Sequence, residues 1–229
     1  MNIKGLQKTT LLDFPEKLAC TVFLGGCNFR CPFCHNASLV LNSGSIEEIP
    51  EEEFFLYIEK RKGMLDGVCI TGGEPLLSAD IVDFIKKIRS YGLLVKLDTN
   101  GSFPDKLEYL LNEGLVDYVA MDIKNSRQKY AATAGLKKFP DEIERSIDLI
   151  IEKAPDYEFR TTVVRELHDA QDIADIAVRI KNAKKYFLQC YVDSGDVIDD
   201  GFSGYSASEM LKILESAQKI LPITALRGI

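Results

Sequence analysis

The chain lacks an apolar run long enough to cross a membrane. A membrane-spanning helix needs about 20 consecutive apolar residues, and no apolar run in the 229 residues approaches that length. The opening stretch, residues 1–7, also lacks the apolar core of an export signal. We therefore expect a cytosolic protein that makes no membrane contact.

An excess of positive charge is absent too. The net charge is −7 and the isoelectric point is near 5, which argues against a broad nucleic-acid-binding surface. Apolar residues make up 46% and charged residues 28%, an ordinary balance for a globular protein. No internal linker or repeat is visible. We expect one domain over residues 1–229, with 1–17 as an extended lead-in and 193–204 as a loop.

A disulfide framework is not indicated, although the chain contains six cysteines. Three are isolated in apolar, strand-like runs and are interpreted as small buried side chains: Cys20, Cys69 and Cys190. The other three follow the first of these runs at the spacing C-x3-C-x2-C: Cys27, Cys31 and Cys34.

This cysteine triplet supplies three thiolates on one short loop. A cubane of four irons and four sulfides usually takes four such ligands. A triplet therefore leaves one iron without a protein ligand, free to chelate a small molecule. The arrangement suggests chemistry more than plain electron transfer.

Three other patterns fit parts of the same loop. Cys31-x-x-Cys34-His35 matches c-type haem attachment, which normally follows export. A zinc site would add His35 to the three cysteines, but the adjacent residues Cys34 and His35 can hardly both bind one tetrahedral ion. A thioredoxin-like Cys31/Cys34 pair gives no role to Cys27. The loop alone leaves these alternatives open.

Short apolar runs alternate with helix-period segments along the chain. Predicted strands cover 18–24, 67–71, 93–98, 118–123, 158–164, 186–191 and 223–226. Between them lie amphipathic stretches, such as Ile81, Phe84, Ile85 and Ile88 at i, i+3, i+4 and i+7. This alternation predicts parallel strands with right-handed crossovers. Periodicity does not separate a doubly wound sheet from a partial barrel, but both place the site beyond the carboxyl ends of the strands.

Unusual polar motifs fall where these strands end. Gly72-Gly73-Glu74-Pro75 follows the second strand, where paired glycines let the backbone approach a ligand and Glu74 offers an acceptor for an ammonium group. On its own this motif would be interpreted as a turn before a helix.

Charged side chains share one face of the next strands. Lys96 and Asp98 are two positions apart, so their side chains point to the same face of a strand, and the same holds for Asp122 and Lys124. If that face lines a lumen, these charges are expensive to bury unless they pair with each other or with a ligand. An ordinary ion pair is the simpler interpretation. Arg160, on the following strand, is a candidate partner for a ligand carboxylate.

The C-x3-C-x2-C loop, followed about forty residues later by Gly-Gly-Glu-Pro, resembles the radical S-adenosylmethionine (SAM) superfamily. The resemblance implies an α/β fold of the partial (β/α)6 TIM-like barrel type. It also implies one 4Fe–4S cluster on the three cysteines and SAM bound at the open iron. In that superfamily one electron from the cluster cleaves SAM to a 5′-deoxyadenosyl radical.

Further motifs are similar to the glycyl-radical-enzyme activating enzymes: Asp98-Thr99-Asn100-Gly101, Asp122-x-Lys124, Arg160-Thr-Thr-Val-Val and Cys34-His35-Asn36. Phe33 matches an aromatic residue that packs on adenine in that family. The resemblance covers the whole chain. The SAM-binding residues that it implies are Phe33, Gly72, Gly73, Glu74, Asp98, Asn100, Asp122, Lys124 and Arg160.

This family resemblance implies an activase that makes a glycyl radical on a partner enzyme, expected to be anaerobic ribonucleotide reductase. A flavodoxin or a ferredoxin-type protein would supply the electron. One alternative is a radical SAM enzyme that acts on a small molecule, as in deazapurine biosynthesis. The other is a non-catalytic iron–sulfur or metal-binding electron-transfer module.

Two departures from the family matter. A relative of this kind carries a SAM-contacting histidine near the end of the sixth strand, where this chain has Leu188-Gln189-Cys190-Tyr191-Val192. Residues 36–68 contain no cysteine, so no inserted domain with extra clusters is expected there. His168 is interpreted as a surface loop residue.

Overall fold

One sheet of eight strands organises the chain, in a computed structural model that describes residues 1–228. The strands are β1 (Ile3–Thr10), β2 (Ala19–Leu24), β3 (Gly67–Gly72), β4 (Leu94–Thr99), β5 (Tyr118–Asp122), β6 (Asp156–Val163), β7 (Tyr186–Cys190) and β8 (Thr224–Arg227). They lie side by side in chain order, so β1 and β8 are the two edges of an open sheet. From β2 to β8 all pairs are parallel. The expected α/β partial barrel is confirmed.

Helices connect the parallel strands. They are α1 (Ala37–Leu41), α2 (Glu51–Lys60), α3 (Ile81–Ser90), α4 (Pro104–Asn112), α5 (Tyr130–Thr133), α6 (Glu142–Lys153), α7 (Ala170–Arg179) and α8 (Ala207–Gln218), with short 3-10 turns at Ser43–Ser45 and Pro75–Leu77. The predicted stripe of α3 is buried in full: Ile81, Phe84, Ile85 and Ile88. Among the described residues no helix is long and apolar enough to span a membrane.

Local signals set where several helices begin. A capping box starts α8, because Ser206 accepts from the backbone of Glu209 and Glu209 accepts from that of Ser206. A second capping box, between Asp169 and Asp172, starts α7. Pro104 is the first residue of α4, where its missing N–H costs nothing.

The lead-in predicted for residues 1–17 contains a strand that periodicity did not reveal. β1 runs antiparallel to β2, with Ile3 opposite Leu24 and Thr10 opposite Ala19. Irregular register within this pair, between Ile3 and Gly5 and again after Gln7, accounts for the weak alternation in the sequence.

The parallel strands end along one edge of the sheet, and the predicted motifs lie there. The cysteine loop follows β2, the glycine pair closes β3, and residues 98–101 close β4. Asp122 is the last residue of β5 and pairs in register with Arg160 on β6. The fold therefore brings motifs far apart in sequence to one end of the barrel.

Candidate active site at the carboxyl ends of the strands

The three clustered cysteines share one cavity of about 260 Å³. All three are free thiols, with Cys31 buried and Cys27 and Cys34 partly buried. The Cys27 sulfur accepts a hydrogen bond from the amide of Phe29 at 3.3 Å. Burial raises the pKa of Cys31 to about 12, although the Lys124 ammonium opposes that shift. Lys124 therefore favours the thiolate form that an iron ligand needs.

This donor set suits a cubane better than a single metal ion. Among residues 1–228, no three Cys, His, Asp or Glu side chains converge as ligands of one ion. A cubane does not require convergence, because each thiolate binds a different iron. His35 stacks on the Tyr191 ring with centroids 5.2 Å apart, an arrangement that does not favour the zinc alternative. The cavity residues thus fit a 4Fe–4S cluster with one open iron.

The glycine pair is required by a close approach between two loops. A Cβ on Gly73 would lie 1.9 Å from the carbonyl oxygen of Gly26, and one on Gly72 would lie 2.4 Å from that of Leu24. Gly72 also has φ of +109°, which side chains rarely adopt. Both glycines line the cavity. The contact also holds the start of the cysteine loop, since the amide of Glu74 donates to Gly26 at 2.9 Å.

The carboxylate of Glu74 has a role that the sequence did not predict. It is buried and accepts from the amide of Asn100 at 2.7 Å, the amide of Leu76 at 3.0 Å and the hydroxyl of Thr99 at 2.9 Å. Burial raises the pKa of Glu74 to about 7, against the effect of these hydrogen bonds. The side chain ties the β3 loop to the β4 loop, so the expected contact with an ammonium group stays a prediction.

Five charged side chains at the cavity form a chain with Arg160 at its centre. The Arg160 guanidinium donates to Asp122 at 2.8 Å and to Asp98 at 3.1 Å. Lys124 pairs with Asp122 at 3.1 Å, and Lys96 pairs with Asp98. The charges predicted to share strand faces therefore pair with each other across β4, β5 and β6. Three cations therefore face two carboxylates here, and the Glu158 carboxylate lies 4.0 Å from Arg160 on the far side.

The pairing keeps these groups ionised despite their burial. Burial alone would raise the pKa of Asp122, but Arg160 and Lys124 hold it well below its usual range. Burial would lower the pKa of Lys124, yet Asp122 and Cys31 keep it above its ordinary value. The site therefore presents fixed charges at any pH near neutrality, with Lys124 beside the thiols.

The chain of charges continues toward the other end of the barrel. The Glu158 carboxylate is buried, lies 4.0 Å from Arg160 and accepts from Tyr118 at 2.8 Å. Arg227 on the edge strand β8 donates to both Glu158 oxygens, at 2.6 and 2.9 Å. The last strand is thus tied to the lumen, a link that the sequence did not suggest.

The remaining predicted residues also line the cavity. Asn100 is buried, and its side-chain amide donates to the side-chain oxygen of Asn28, on the cysteine loop, at 3.0 Å. Phe33 is buried edge-on against Tyr191, with ring centroids 6.4 Å apart. Core packing accounts for part of its burial, and one side of Phe33 still faces the cavity.

The surface position expected for His168 is wrong. The ring is 2% exposed, accepts from the Val164 amide at 3.2 Å through Nδ1, and contacts the Lys124 carbonyl at 2.8 Å through Nε2. Since a carbonyl only accepts, Nε2 donates to Lys124, and burial lowers the pKa of His168, which favours the neutral ring. His168 therefore holds the backbone of Lys124 in place. A lone histidine after a strand gave no signal of this role.

The wall of the cavity on β6 and β7 includes two residues that the sequence did not single out. Thr162 and Gln189 both line it. Gln189 lies in the stretch where a relative carries its SAM-contacting histidine. Its position next to the end of a strand is the one signal that could have identified it.

The chain is similar to known proteins over most of its length. Residues 21–180 match the family described as the radical SAM superfamily. A protein of Methanocaldococcus jannaschii, named as a candidate glycyl-radical enzyme activating enzyme, is 31% identical over 99% of this chain and 96% of its own length. Pyruvate formate-lyase-activating enzyme of Clostridium pasteurianum is 28% identical over 82% of this chain and 81% of that protein.

Solved structures support the fold. Streptococcus suis SuiB superposes with a TM-score of 0.69 at 16% identity over 89% of this chain, which spans only 47% of the SuiB chain. Archaeal TYW1 superposes with a TM-score of 0.58 at 17% identity, over 88% of this chain and 72% of that chain. At such identities the likeness concerns the architecture and not the substrate.

Replacing Gly73 with alanine is expected to separate the glycine loop from the cysteine loop. The new methyl group would overlap the Gly26 carbonyl, and overpacking of this kind costs about 1–3 kcal/mol. We expect a lower free energy of unfolding in urea and less iron bound after anaerobic reconstitution. Gly44→Ala is the matched control, since no atom lies within 4 Å of its Cβ position. Equal iron content in both variants would contradict the required close approach.

Acid is expected to destabilise the protein through His168. Burial lowers the pKa of His168 in the native state, while the unfolded chain protonates near its usual value of about 6.5. Below that pH the unfolded state binds more protons, so the free energy of unfolding falls as the pH decreases. His168→Gln should show a shallower pH dependence in urea titrations, and His35→Gln, at the other histidine, is the control. Parallel profiles for His168→Gln and wild type would contradict this account.

Proposed function

Because the chain belongs to the radical SAM superfamily, whose enzymes use a 4Fe–4S cluster and SAM, we propose that it generates a glycyl radical on a partner enzyme. The observation that carries the proposal is the meeting of three free thiols and a preformed chain of charges in one cavity. Cys27, Cys31 and Cys34 would hold the cluster. When bound, the cluster supplies the electron that cleaves the sulfonium of SAM. Because the chain belongs to a family of enzymes, the alternative of a non-catalytic electron-transfer module is not supported.

Binding and orienting SAM is the task of the cavity residues. The ammonium of Lys124 suits the carboxylate of SAM, and Asp98 and Asp122 suit its cationic groups. Gly72 and Gly73 let the backbone approach the ligand. The adenine would pack on Phe33, and the side-chain amides of Asn100 and Gln189 offer further hydrogen bonds. All of these residues line the same cavity. Because the charges are already paired, little reorganisation is needed when the ligand enters.

A protein partner is supported by similarity along the whole chain. The Methanocaldococcus jannaschii relative matches at nearly full length, which favours the activase role over a small-molecule reaction. A backbone glycine is a suitable target, because a radical at its Cα is delocalised over the two flanking amides. The sheet is open between β1 and β8, and such an opening suits entry of a peptide loop. We propose anaerobic ribonucleotide reductase as the partner and a flavodoxin or ferredoxin as the electron donor, with residues 1–229 acting as one cytosolic domain.

Asp122→Asn is expected to weaken SAM binding while leaving the cluster in place. The substitution keeps the shape but removes a charge that Arg160 and Lys124 share, so the pocket gains an uncompensated positive charge. We expect roughly a tenfold or greater rise in the SAM dissociation constant, equivalent to about 1.4 kcal/mol. Anaerobic equilibrium dialysis measures the affinity, with iron content and absorption as checks on the cluster. Asp148→Asn removes a carboxylate that pairs with Arg179 on the outer surface and serves as the control. If Asp122→Asn binds SAM with wild-type affinity, Asp122 has only the structural role of an ion pair.

The proposed activity predicts a radical on the partner. Reduced protein, SAM and a purified anaerobic ribonucleotide reductase are mixed without oxygen, and the electron paramagnetic resonance spectrum is recorded. We expect a glycyl doublet and one 5′-deoxyadenosine for each radical formed. A partner with its radical glycine replaced by alanine is the control and should give no doublet. SAM cleavage driven by a small metabolite, with no radical on any glycyl radical enzyme, would support the small-molecule alternative instead.

A further inference from the structure

Three exposed cations lie together beside the cysteine loop, although the chain as a whole has a net charge of −7. They are Arg30, Lys137 and Lys138, which we call the basic face. In the described part of the chain, no carboxylate lies within 4.0 Å of any of them. The Arg30 guanidinium donates to the carbonyls of Cys27 at 2.6 Å and Phe29 at 2.8 Å. Those two carbonyls are neutral, so the charge of the basic face is available to a partner.

Close backbone contacts hold the two lysines of the basic face beside the cysteines. The amide of Arg30 donates to the carbonyl of Ala134 at 3.0 Å. A Cβ on Gly135 would lie 2.2 Å from the carbonyl oxygen of Arg30. Lys137 and Lys138 follow two and three residues after this glycine. The fold therefore brings cations from two separate segments to one side of the loop that carries the thiols.

Other cations near the basic face are paired within the fold. Arg127 pairs with Asp141 at 2.9 Å and with Glu144 at 3.3 Å. Lys129, at the start of α5, pairs with Asp172 at 2.6 Å. Such surface pairs neutralise charge even where they contribute little stability. The cations of the basic face differ from these neighbours, and pairing inside the described structure does not account for them.

The next part of the cysteine loop is covered by residues of opposite charge. Loop 193–200 contains four aspartates and no lysine or arginine. The amide of Asp199 donates to the carbonyl of Pro32 at 2.9 Å, and Asp196 accepts from the Ser38 hydroxyl at 2.7 Å. An acidic protein that approaches the cysteine loop is therefore repelled by this loop and attracted by the basic face. Charges arranged in this way orient a partner as it associates.

We propose that the basic face is the docking site of a small acidic ferredoxin, which reduces the cluster. The inference rests on the proposed function, because it requires that the cluster is present. Arg30 is the neighbour of Cys31, so a carrier on this face lies beside a cluster ligand, and electron transfer slows steeply with distance. One electron leaves the reduced ferredoxin and enters the cluster, and no proton or chemical group moves with it. Only two short segments form the face, which suits a small carrier.

The test compares two double charge reversals in the full-length, anaerobically reconstituted protein. Lys137→Glu/Lys138→Glu reverses charge on the basic face. Lys60→Glu/Lys62→Glu makes the same change in net charge at two exposed lysines between α2 and β3, at the other end of the strands. Isothermal titration calorimetry with an acidic plant-type 2Fe–2S ferredoxin measures the dissociation constant. We expect it to rise roughly tenfold or more in the first variant and less than about twofold in the second.

Salt provides a check on the electrostatic origin of the binding. Ions screen exposed charges, so the affinity of the wild-type protein for ferredoxin should fall as the ionic strength rises. The affinity of Lys137→Glu/Lys138→Glu should change less with salt. Lys137→Gln/Lys138→Gln removes the two charges without reversing them and should bind with intermediate affinity.

Electron delivery is measured separately from the chemistry of the site. With limiting reduced ferredoxin, Lys137→Glu/Lys138→Glu should form 5′-deoxyadenosine from SAM about tenfold more slowly than wild type, because less of the complex forms. With photoreduced 5-deazariboflavin, a small neutral reductant that needs no docking surface, the two proteins should react at equal rates. A variant that is equally slow with both reductants would overturn the inference, because the lysines would then serve the site itself.

Three further results would also overturn the inference. The first is wild-type ferredoxin affinity in Lys137→Glu/Lys138→Glu. The second is a wild-type protein that binds ferredoxin independently of salt or not at all. The third is binding of an acidic flavodoxin, and not of ferredoxin, through the same lysines. All three leave the proposed function standing, whereas a wild-type protein that binds no iron under any reconstitution would contradict the proposed function.

Discussion

The guanidinium of Arg160 holds together the ends of three neighbouring strands. It lies on β6 and donates to Asp98 on β4 and Asp122 on β5. Its side chain is 14% exposed, and leaving a buried charge uncompensated costs several kcal/mol. Both carboxylates must therefore stay ionised and in place, and Lys96 and Lys124 complete the pairing. The cavity wall is rigid because each charge depends on the next.

The loops above this wall are joined by close backbone contacts and by side-chain hydrogen bonds. Gly73 meets Gly26 at a distance that excludes any side chain, and the side-chain amide of Asn36 donates to the carbonyl of Gly72 at 2.8 Å. The Glu74 carboxylate then joins this pair of loops to Asn100. The cysteine loop, the glycine loop and the end of β4 therefore form one unit. Such a unit holds the residues that line the cavity in fixed positions relative to one another.

Much of the fold follows from local pattern. The apolar stripe of α3 and the alternation of strands with helices predicted the parallel sheet, and the structure confirms it. β1 escaped prediction because its pairing with β2 depends on a neighbour and is interrupted by irregular register. Arg227 joins Glu158 across 69 positions of sequence, and no local pattern encodes such a contact.

The sequence by itself determined that three thiols lie together in this protein. Cys27, Cys31 and Cys34, the proposed cluster ligands, are on one short loop, and residues so close in the chain stay close in any fold. Only the tertiary structure decided what surrounds them. His168 meets Lys124 across 44 positions, and Ala134, at the end of α5, accepts from the amide of Arg30 on the cysteine loop. Burial and hydrogen-bond partners are properties of the folded whole, since each is created by segments that are independent of one another until the barrel forms.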